Sequence, residues 1–394
     1  HKFEKKSRVK KMLQIDQLSY WERDTYFTDS DIVIIGAGIV GLSTAIFISE
    51  RYPKRRILIV EQGYLPSGAS TKNAGFACFG SISELIEQEQ TCSKSEFLSV
   101  IQQRWQGLNL LISTLGAEQI GFESCGGYEL FTPDENELYQ TCIAKLNYYN
   151  DLLKEHIGAT APIFSTADAR IKEFGFEGIA HLIFNAYEGK IDAGKMMQTL
   201  IAKARNVGVD LFFGAEVLSY QTQNNQVNIS GANFEIMAKK ILIATNAFAK
   251  QLLPNLSIVP GRGQVLITKP IQKIKFNSTF HYQKGYFYFR NIDNRILIGG
   301  GRNLFFEQEQ STEMHNTENI LSSLKALLFD KICPNQPIEI DYAWSGIMAF
   351  GEQLQPIIEK FSEGVYVAVR CNGMGIAMGS KTGESLAKLA IAAD

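Results

Sequence analysis

The chain has 394 residues, of which 45% are hydrophobic and 20% charged, and a net charge of −2. That is ordinary globular composition, long enough for two or three domain-sized units. The near-neutral balance argues against a phosphate-backbone binder. No apolar stretch long enough to span a membrane survives inspection, because 32–48 carries glycines and exits into polar residues.

Residues 1–11 (HKFEKKSRVKK) read as a tag remnant or a solvated basic tail. A lead-in over 12–30 is expected to pack Tyr20 and Trp21 on the first domain. The stretch 31–61 then reads as strand, glycine turn, helix and strand, closed by a carboxylate. In the turn Gly36-Ala37-Gly38-Ile39-Val40-Gly41, each glycine has its own task in holding an adenine dinucleotide. Gly36 permits the tight turn, Gly38 admits a pyrophosphate to the backbone, and Gly41 lets the helix pack on the sheet. The helix start offers unpaired N–H groups and a positive dipole end. Glu61, at the tip of the second strand, suits ribose hydroxyls and would repel a 2′-phosphate.

A small-residue loop, SGASTKNAG (67–75), follows. Helices are predicted over 94–115, 135–157 and 193–206, with strands at 127–131 and 180–185. A strand at 210–217 leads to a hairpin turning at Asn224-Asn225. The run 240–244 is a buried strand entering Thr245-Asn246, and a short helix stops at Pro254. Alternation over 264–268, 285–290 and 295–299 predicts an antiparallel sheet, followed by a helix at 317–329 and a strand at 338–342. The end of the chain, 364–370, meets a second glycine turn (Gly373, Gly375, Gly379) and a last helix. The residues after Gly379 suffice for one helix, not for a second dinucleotide fold. This turn is therefore read as a strand–turn–helix of the same sheet, aimed at the same dinucleotide. The six cysteines contain no CxxC pair and read as reduced core thiols. The five histidines are scattered, so no metal is expected. His181 and His281 read as satisfied structural residues.

Six blocks, in order, resemble the FAD-dependent oxidoreductases of the D-amino acid oxidase superfamily, which includes glycine, sarcosine and γ-glutamylputrescine oxidases. They are GAGIVGLSTA with Glu61, SGASTKNAG, EGKIDAGKMMQTL, ILIATNAFA, YFYFRNIDNRILIGGGR and VYVAVRCNGMGIAMGS. The resemblance implies an α/β fold. A discontinuous Rossmann-type FAD-binding domain (28–88, 189–258 and 343–394) would carry a substrate domain (89–188 and 259–342) on a mainly antiparallel sheet, after an N-terminal extension (1–27). It implies cofactor contacts from Gln62, Ala69, Ser70, Lys72, Asn73, Ala74, Gly75, Val217, Ala244, Thr245, Asn246, Trp344, Gly346, Asn372 and Gly373. Amides of Met374, Gly375 and Ile376 would face the reduced flavin. The segment 344–351 lacks the cysteine that some members bond to flavin, so FAD is expected to be non-covalent.

The implied reaction removes a hydride from the carbon bearing an amine, in an amine or amino acid. Arg302 is the first candidate for a substrate carboxylate, Arg290 the second, and Tyr288 would line the pocket. Oxygen or a quinone would accept the electrons, in a cytoplasmic enzyme without nucleic-acid partners. A dehydrogenase of a 2-hydroxy acid or polyol phosphate, and a flavin-binding protein without turnover, are the alternatives.

Overall fold

The computed structural model describes residues 17–392; the basic tail 1–11 lies outside the described residues. The described chain forms two eight-stranded sheets and a two-stranded ribbon.

The first sheet has five parallel strands in the order Val365–Val369, Glu235–Ile243, Ser30–Ile35, Ile57–Glu61 and Asp210–Phe213. Ile357–Ser362 adds an antiparallel edge. The inner strands are continuous aliphatic runs because both faces are covered. Helices Ile39–Arg51 and Gly375–Ile391 pack on one face, with helix Lys94–Leu115 against the second of them. Glycines set how closely these helices approach. A β-carbon on Gly383 would lie 2.7 Å from the Val40 carbonyl oxygen, and one on Gly107 2.2 Å from that of Ala377. On the other face the hairpin Val217–Gln223 and Gln226–Gly231 turns at Asn224 and Asn225, both left-handed. The strand predicted over 210–217 is in fact two, because Gly214 (φ +71) breaks it.

The second sheet runs Ile340–Phe350, Val259–Thr268, Arg295–Gly300, Phe287–Ile292, Thr279–Tyr282, Gly127–Phe131, His181–Asn185 and Phe164–Thr166. All neighbours are antiparallel except Thr279–Tyr282 beside Gly127–Phe131. Its core is aromatic, with Phe280 stacked on Phe289 at 4.6 Å. The strand Ile340–Phe350 pairs here along its whole length, so the expected boundary at 343 falls inside one strand. The predicted helix 317–329 is regular over Glu318–Leu327 and then widens into a π turn.

The lead-in departs from expectation. Helix Tyr20–Tyr26 buries none of its residues, and Tyr20 and Trp21 are exposed, edge to face with each other. The contacts to the body come from its other end, where Tyr26 and Phe27 pack on Phe212. The ribbon, Phe76–Ala77 with Gly189–Lys190, ties the loop after Gly75 to the segment after Glu188.

Candidate active site

A cavity of about 700 Å³ lies where the two sheets meet, lined from both. At one end is the first glycine turn. Gly36 has φ +105 and its missing β-carbon would lie 2.9 Å from the Ala244 carbonyl oxygen. Gly41 faces the turn itself: a β-carbon would stand 2.0 Å from the Gly36 oxygen. It sits behind the lining rather than in it. The Ile39 amide is taken by Ser70 Oγ at 3.0 Å, a bond from the second loop to the helix start. The amides of Gly38, Val40 and Gly41 have no acceptor among the described residues. Glu61 lines the cavity and accepts from the amides of Ala37 at 2.9 Å and Gly63 at 3.0 Å. It therefore braces the turn as well as facing the site. Gln62, Ala69, Ser70, Val217 and Ala244 line the same end.

The second turn points at the same space. The Met374 amide is used internally, donating to the Cys371 carbonyl oxygen at 2.8 Å. The open amides are those of Gly375, Ile376 and Ala377, one residue later than expected. Nothing would lie within 4 Å of a β-carbon on Gly375, so the helix start opens onto free volume. The Thr245 hydroxyl is buried and has no partner, although it belongs to a lining residue. Asn246 is left-handed (φ 48) and accepts from the Arg370 amide at 3.1 Å, which ties two strand ends together. Asn372 and Gly373 line the turn; Asn372 Nδ2 donates to the carbonyls of Gln353 and Leu354. Two converging helix starts with open amides, a carboxylate at the ribose position and an orphan buried hydroxyl fit an adenine dinucleotide.

The loop between these turns is shaped by its own bonds. Asn73 accepts from the Gly75 amide and donates to the carbonyls of Ala69 and Ser70. Trp344 Nε1 donates to the Lys72 carbonyl at 3.0 Å, so Trp344 holds the loop and does not line the cavity. Gly346 leaves room for the Lys72 side chain.

The far end carries the polar groups expected to meet substrate. Tyr288 lines it, and Gly299 opposite makes room for the ring, since a β-carbon there would lie 2.8 Å from the hydroxyl. Burial pushes the Tyr288 phenol up to about 12. Arg302 also lines the cavity, its guanidinium 4.0 Å above the Phe350 ring and 4.8 Å from Phe306. Burial pulls its pKa down; Tyr286 and Glu309 oppose that. Among the described residues, the Arg302 guanidinium has no hydrogen-bond or ion-pair partner, whereas Lys284 pairs with Glu87 at 2.8 Å and Arg104 with Glu84 at 3.8 Å. Arg290 does not line the cavity. It is buried behind Gly75 and donates to that carbonyl at 3.2 Å, and desolvation brings it down to about 10. It stands as a support for the loop.

His281 is on the wall as well. Its Nε2 lies 2.6 Å from Glu188, which also accepts from Thr279. Cys78 completes a buried cluster with these two. Spacing along the chain gave no hint of it, since 78, 188 and 281 lie on separate elements. Of the atoms that could ligate, His281 Nε2 and one Glu188 oxygen are engaged with each other, and burial pushes the Cys78 thiol up, toward its protonated form. For His281, burial opposes the charge, but Glu188, with Glu129 and Glu84 further off, overrides it and raises the imidazole to about 9. The folded value exceeds the unfolded 6.5, so the pair's stabilisation is complete below pH 6.5 and is lost as pH rises through about 9. Folding stability should fall over that window by an amount on the order of 3 kcal/mol, read as a falling thermal midpoint. In His281→Gln the fall should flatten; an unchanged slope in the variant would remove His281 as its source.

Sequence reading missed much of the substrate end: Phe76, Glu84, Glu87, Arg104 and Phe350 all line it. Glu84, Glu87 and Gln88 share one face of helix Ile82–Glu89, whose i, i+3, i+4 spacing was the available signal. Arg104 had none, being a charge on the buried side of an amphipathic helix.

The profile of the FAD dependent oxidoreductase family (DAO) matches residues 31–389. The probable oxidoreductase OrdL of Haemophilus influenzae is 21% identical, over 94% of this chain and 85% of the relative. The N-methyl-L-tryptophan oxidase of Yersinia pestis is 21% identical over 59% and 58%. Among solved structures, glycine oxidase from Geobacillus kaustophilus superposes with a TM-score of 0.74 at 19% identity, covering 92% of this chain and 95% of that one. L-proline dehydrogenase from P. horikoshii gives 0.72 at 19%, over 93% and 95%. These similarities establish a shared fold.

Proposed function

The chain belongs to the FAD dependent oxidoreductase (DAO) family, and from that premise we propose that it removes a hydride from the carbon bearing an amine in a small substrate that also carries a carboxylate. The observation behind this reading is Arg302, a cation on the cavity wall without a counter-ion. A guanidinium so placed can fork onto a carboxylate with two parallel hydrogen bonds. Glycine oxidase and proline dehydrogenase, named for amino-acid substrates, share the fold and support the amine reading.

When bound, FAD supplies the two-electron acceptor. The protein's part is position and electrostatics. Arg302 fixes one end of the substrate. The Tyr288 hydroxyl, without a partner among the described residues, offers a hydrogen bond, and its ring closes against Phe76 at 5.5 Å to exclude water. The amides of Gly375, Ile376 and Ala377 stabilise negative charge at the last helix's start. Hydride loss from a neutral amine needs no base, which suits a site where His281 is held by Glu188. Electrons then pass to oxygen or a quinone.

FAD is held without a covalent bond in this reading. Cys78 and Cys371 are the cysteines that line the cavity; burial raises both thiols, Cys371 to about 11, and it is the thiolate that bonds. Acid precipitation of the yellow protein should leave the colour in the supernatant; a yellow pellet would refute this. The functional test is anaerobic bleaching across a panel of amines, amino acids and 2-hydroxy acids. Bleaching by amino acids supports the proposal, and bleaching by hydroxy acids alone overturns it.

A further inference from the structure

Arg302 sits at the head of a loop whose anchoring is unusually complete. Strand Arg295–Gly300 ends in Gly300 (φ +115) and Gly301 (φ +79), which turn the chain sharply into the short helix Arg302–Leu304. The following residues return to strand Val259–Thr268 by one buried ion pair. Arg262 Nε donates to Glu309 Oε2 at 2.8 Å and its Nη2 to Oε1 at 3.0 Å, a two-pronged bridge with both partners about 2% exposed or less. The Arg262 amide donates to the Glu309 carbonyl at 2.7 Å. Gln264 adds a bond to Glu309 at 2.9 Å and two to Thr317. Burial works against the Glu309 charge, but these donors hold its carboxyl below the usual range.

One residue before Arg262 the same strand makes space. A β-carbon on Gly261 would lie 3.2 Å from Arg302 Nη1 and 2.6 Å from the Phe350 ring. Neighbouring strand residues face opposite ways. Gly261 therefore opens a slot on the cavity side while Arg262 grips the loop on the other. In that slot the guanidinium lies over the Phe350 ring, with the Phe306 ring centroid 4.8 Å away. A cation on an aromatic face keeps its edge N–H groups free, which is what a carboxylate needs.

We propose that Glu309 and Phe350 are positioning residues for Arg302: the Arg262–Glu309 bridge fixes the loop and the Phe350 ring fixes the plane of the guanidinium, so that together they set the affinity for the substrate's carboxylate. The proposal rests on Arg302 as the carboxylate anchor. Glu309 does not line the cavity, so its effect would act through the loop.

Benzoate serves as the probe, titrated into the holoprotein and read as a change in the flavin absorption spectrum. Phe350→Leu should weaken benzoate roughly five- to thirtyfold, as loss of a desolvated cation–π contact does. Phe350→Tyr should restore it. Glu309→Gln should weaken it by at least as much, raising the substrate KM while kcat at saturation stays within about twofold. In an Arg302→Ala background, Phe350→Leu should add nothing, a coupling that a merely structural role would not produce. Should Glu309→Gln fail to fold, the Phe350 series decides. Benzoate affinities within twofold of wild type in Phe350→Leu, with Arg302→Ala already crippled, would overturn the proposal and leave the anchor standing. Equal, additive losses in both backgrounds would overturn it too. Wild-type benzoate binding by Arg302→Ala would instead remove the anchor, and this inference with it.

Discussion

Replacing Arg302 with alanine should raise the substrate concentration needed for half-maximal anaerobic flavin reduction by roughly 100-fold, the equivalent of about 3 kcal/mol for a two-pronged charge-assisted contact. Flavin content should stay near wild type, because the Arg302 guanidinium bonds to neither glycine turn and rests on the Phe350 and Phe306 rings. Arg302→Lys should rescue little. An ammonium keeps the charge but loses the planar fork, and it cannot stack on Phe350 as a guanidinium does. Arg290→Ala should behave differently. Its guanidinium supports the Gly75 carbonyl, so the loss should appear in flavin retention before it appears in substrate demand. Half-saturation unchanged in both Arg302 variants would take the arginine out of the site. A substrate without a carboxylate, such as a polyamine, would then be the better reading.

The contrast between the two arginines shows what a sequence can carry. Both read as strand ends in the same sequence block, but the structure places Arg290 inside strand Phe287–Ile292 and Arg302 at the head of the short helix after Gly301. Their difference is lateral: Arg290 is covered by Gly75, which is 215 residues away in sequence, while Arg302 turns out over Gly261 and Phe350. Such juxtapositions come from strand register and from which loop crosses which sheet, and no local pattern encodes them. The dinucleotide end was legible because its chemistry is local. A glycine turn, the helix after it and the acid at the next strand tip are all contiguous, and they fold as the spacing says. The second glycine turn was legible in kind but displaced by one residue, because the Met374 amide closes its own turn onto Cys371. The Cys78, Glu188 and His281 cluster and the Arg262–Glu309 bridge were out of reach for the same reason as Arg290.

The glycine turn carries the sharpest remaining test, because two of its residues should fail in different ways. Gly41→Ala places a β-carbon 2.0 Å from the Gly36 carbonyl oxygen, which is backbone and cannot swing aside. The helix must lift away from the turn, and the amides of Val40 and Gly41 move with it. Purified Gly41→Ala should therefore be colourless or largely unfolded. Glu61→Ala removes no packing of that kind. It deletes the acceptor for the Ala37 and Gly63 amides and the carboxylate that we propose meets the ribose. Its FAD affinity should fall roughly 10- to 100-fold, as loss of charge-assisted hydrogen bonds does. Because the turn loses its brace, the apoprotein should also lose about 1 kcal/mol or more of stability for two orphaned donors, and so melt earlier. Glu61→Gln keeps a neutral acceptor and should recover more of the melting temperature than of the FAD affinity, since only the ribose contact depends on full charge. Titration of FAD into the apoproteins, beside their melting curves, separates these effects. A Glu61→Ala protein that melts like wild type but binds FAD weakly would mean the carboxylate serves the ribose alone. One that binds FAD as tightly as wild type would show that the ribose does not rest on Glu61.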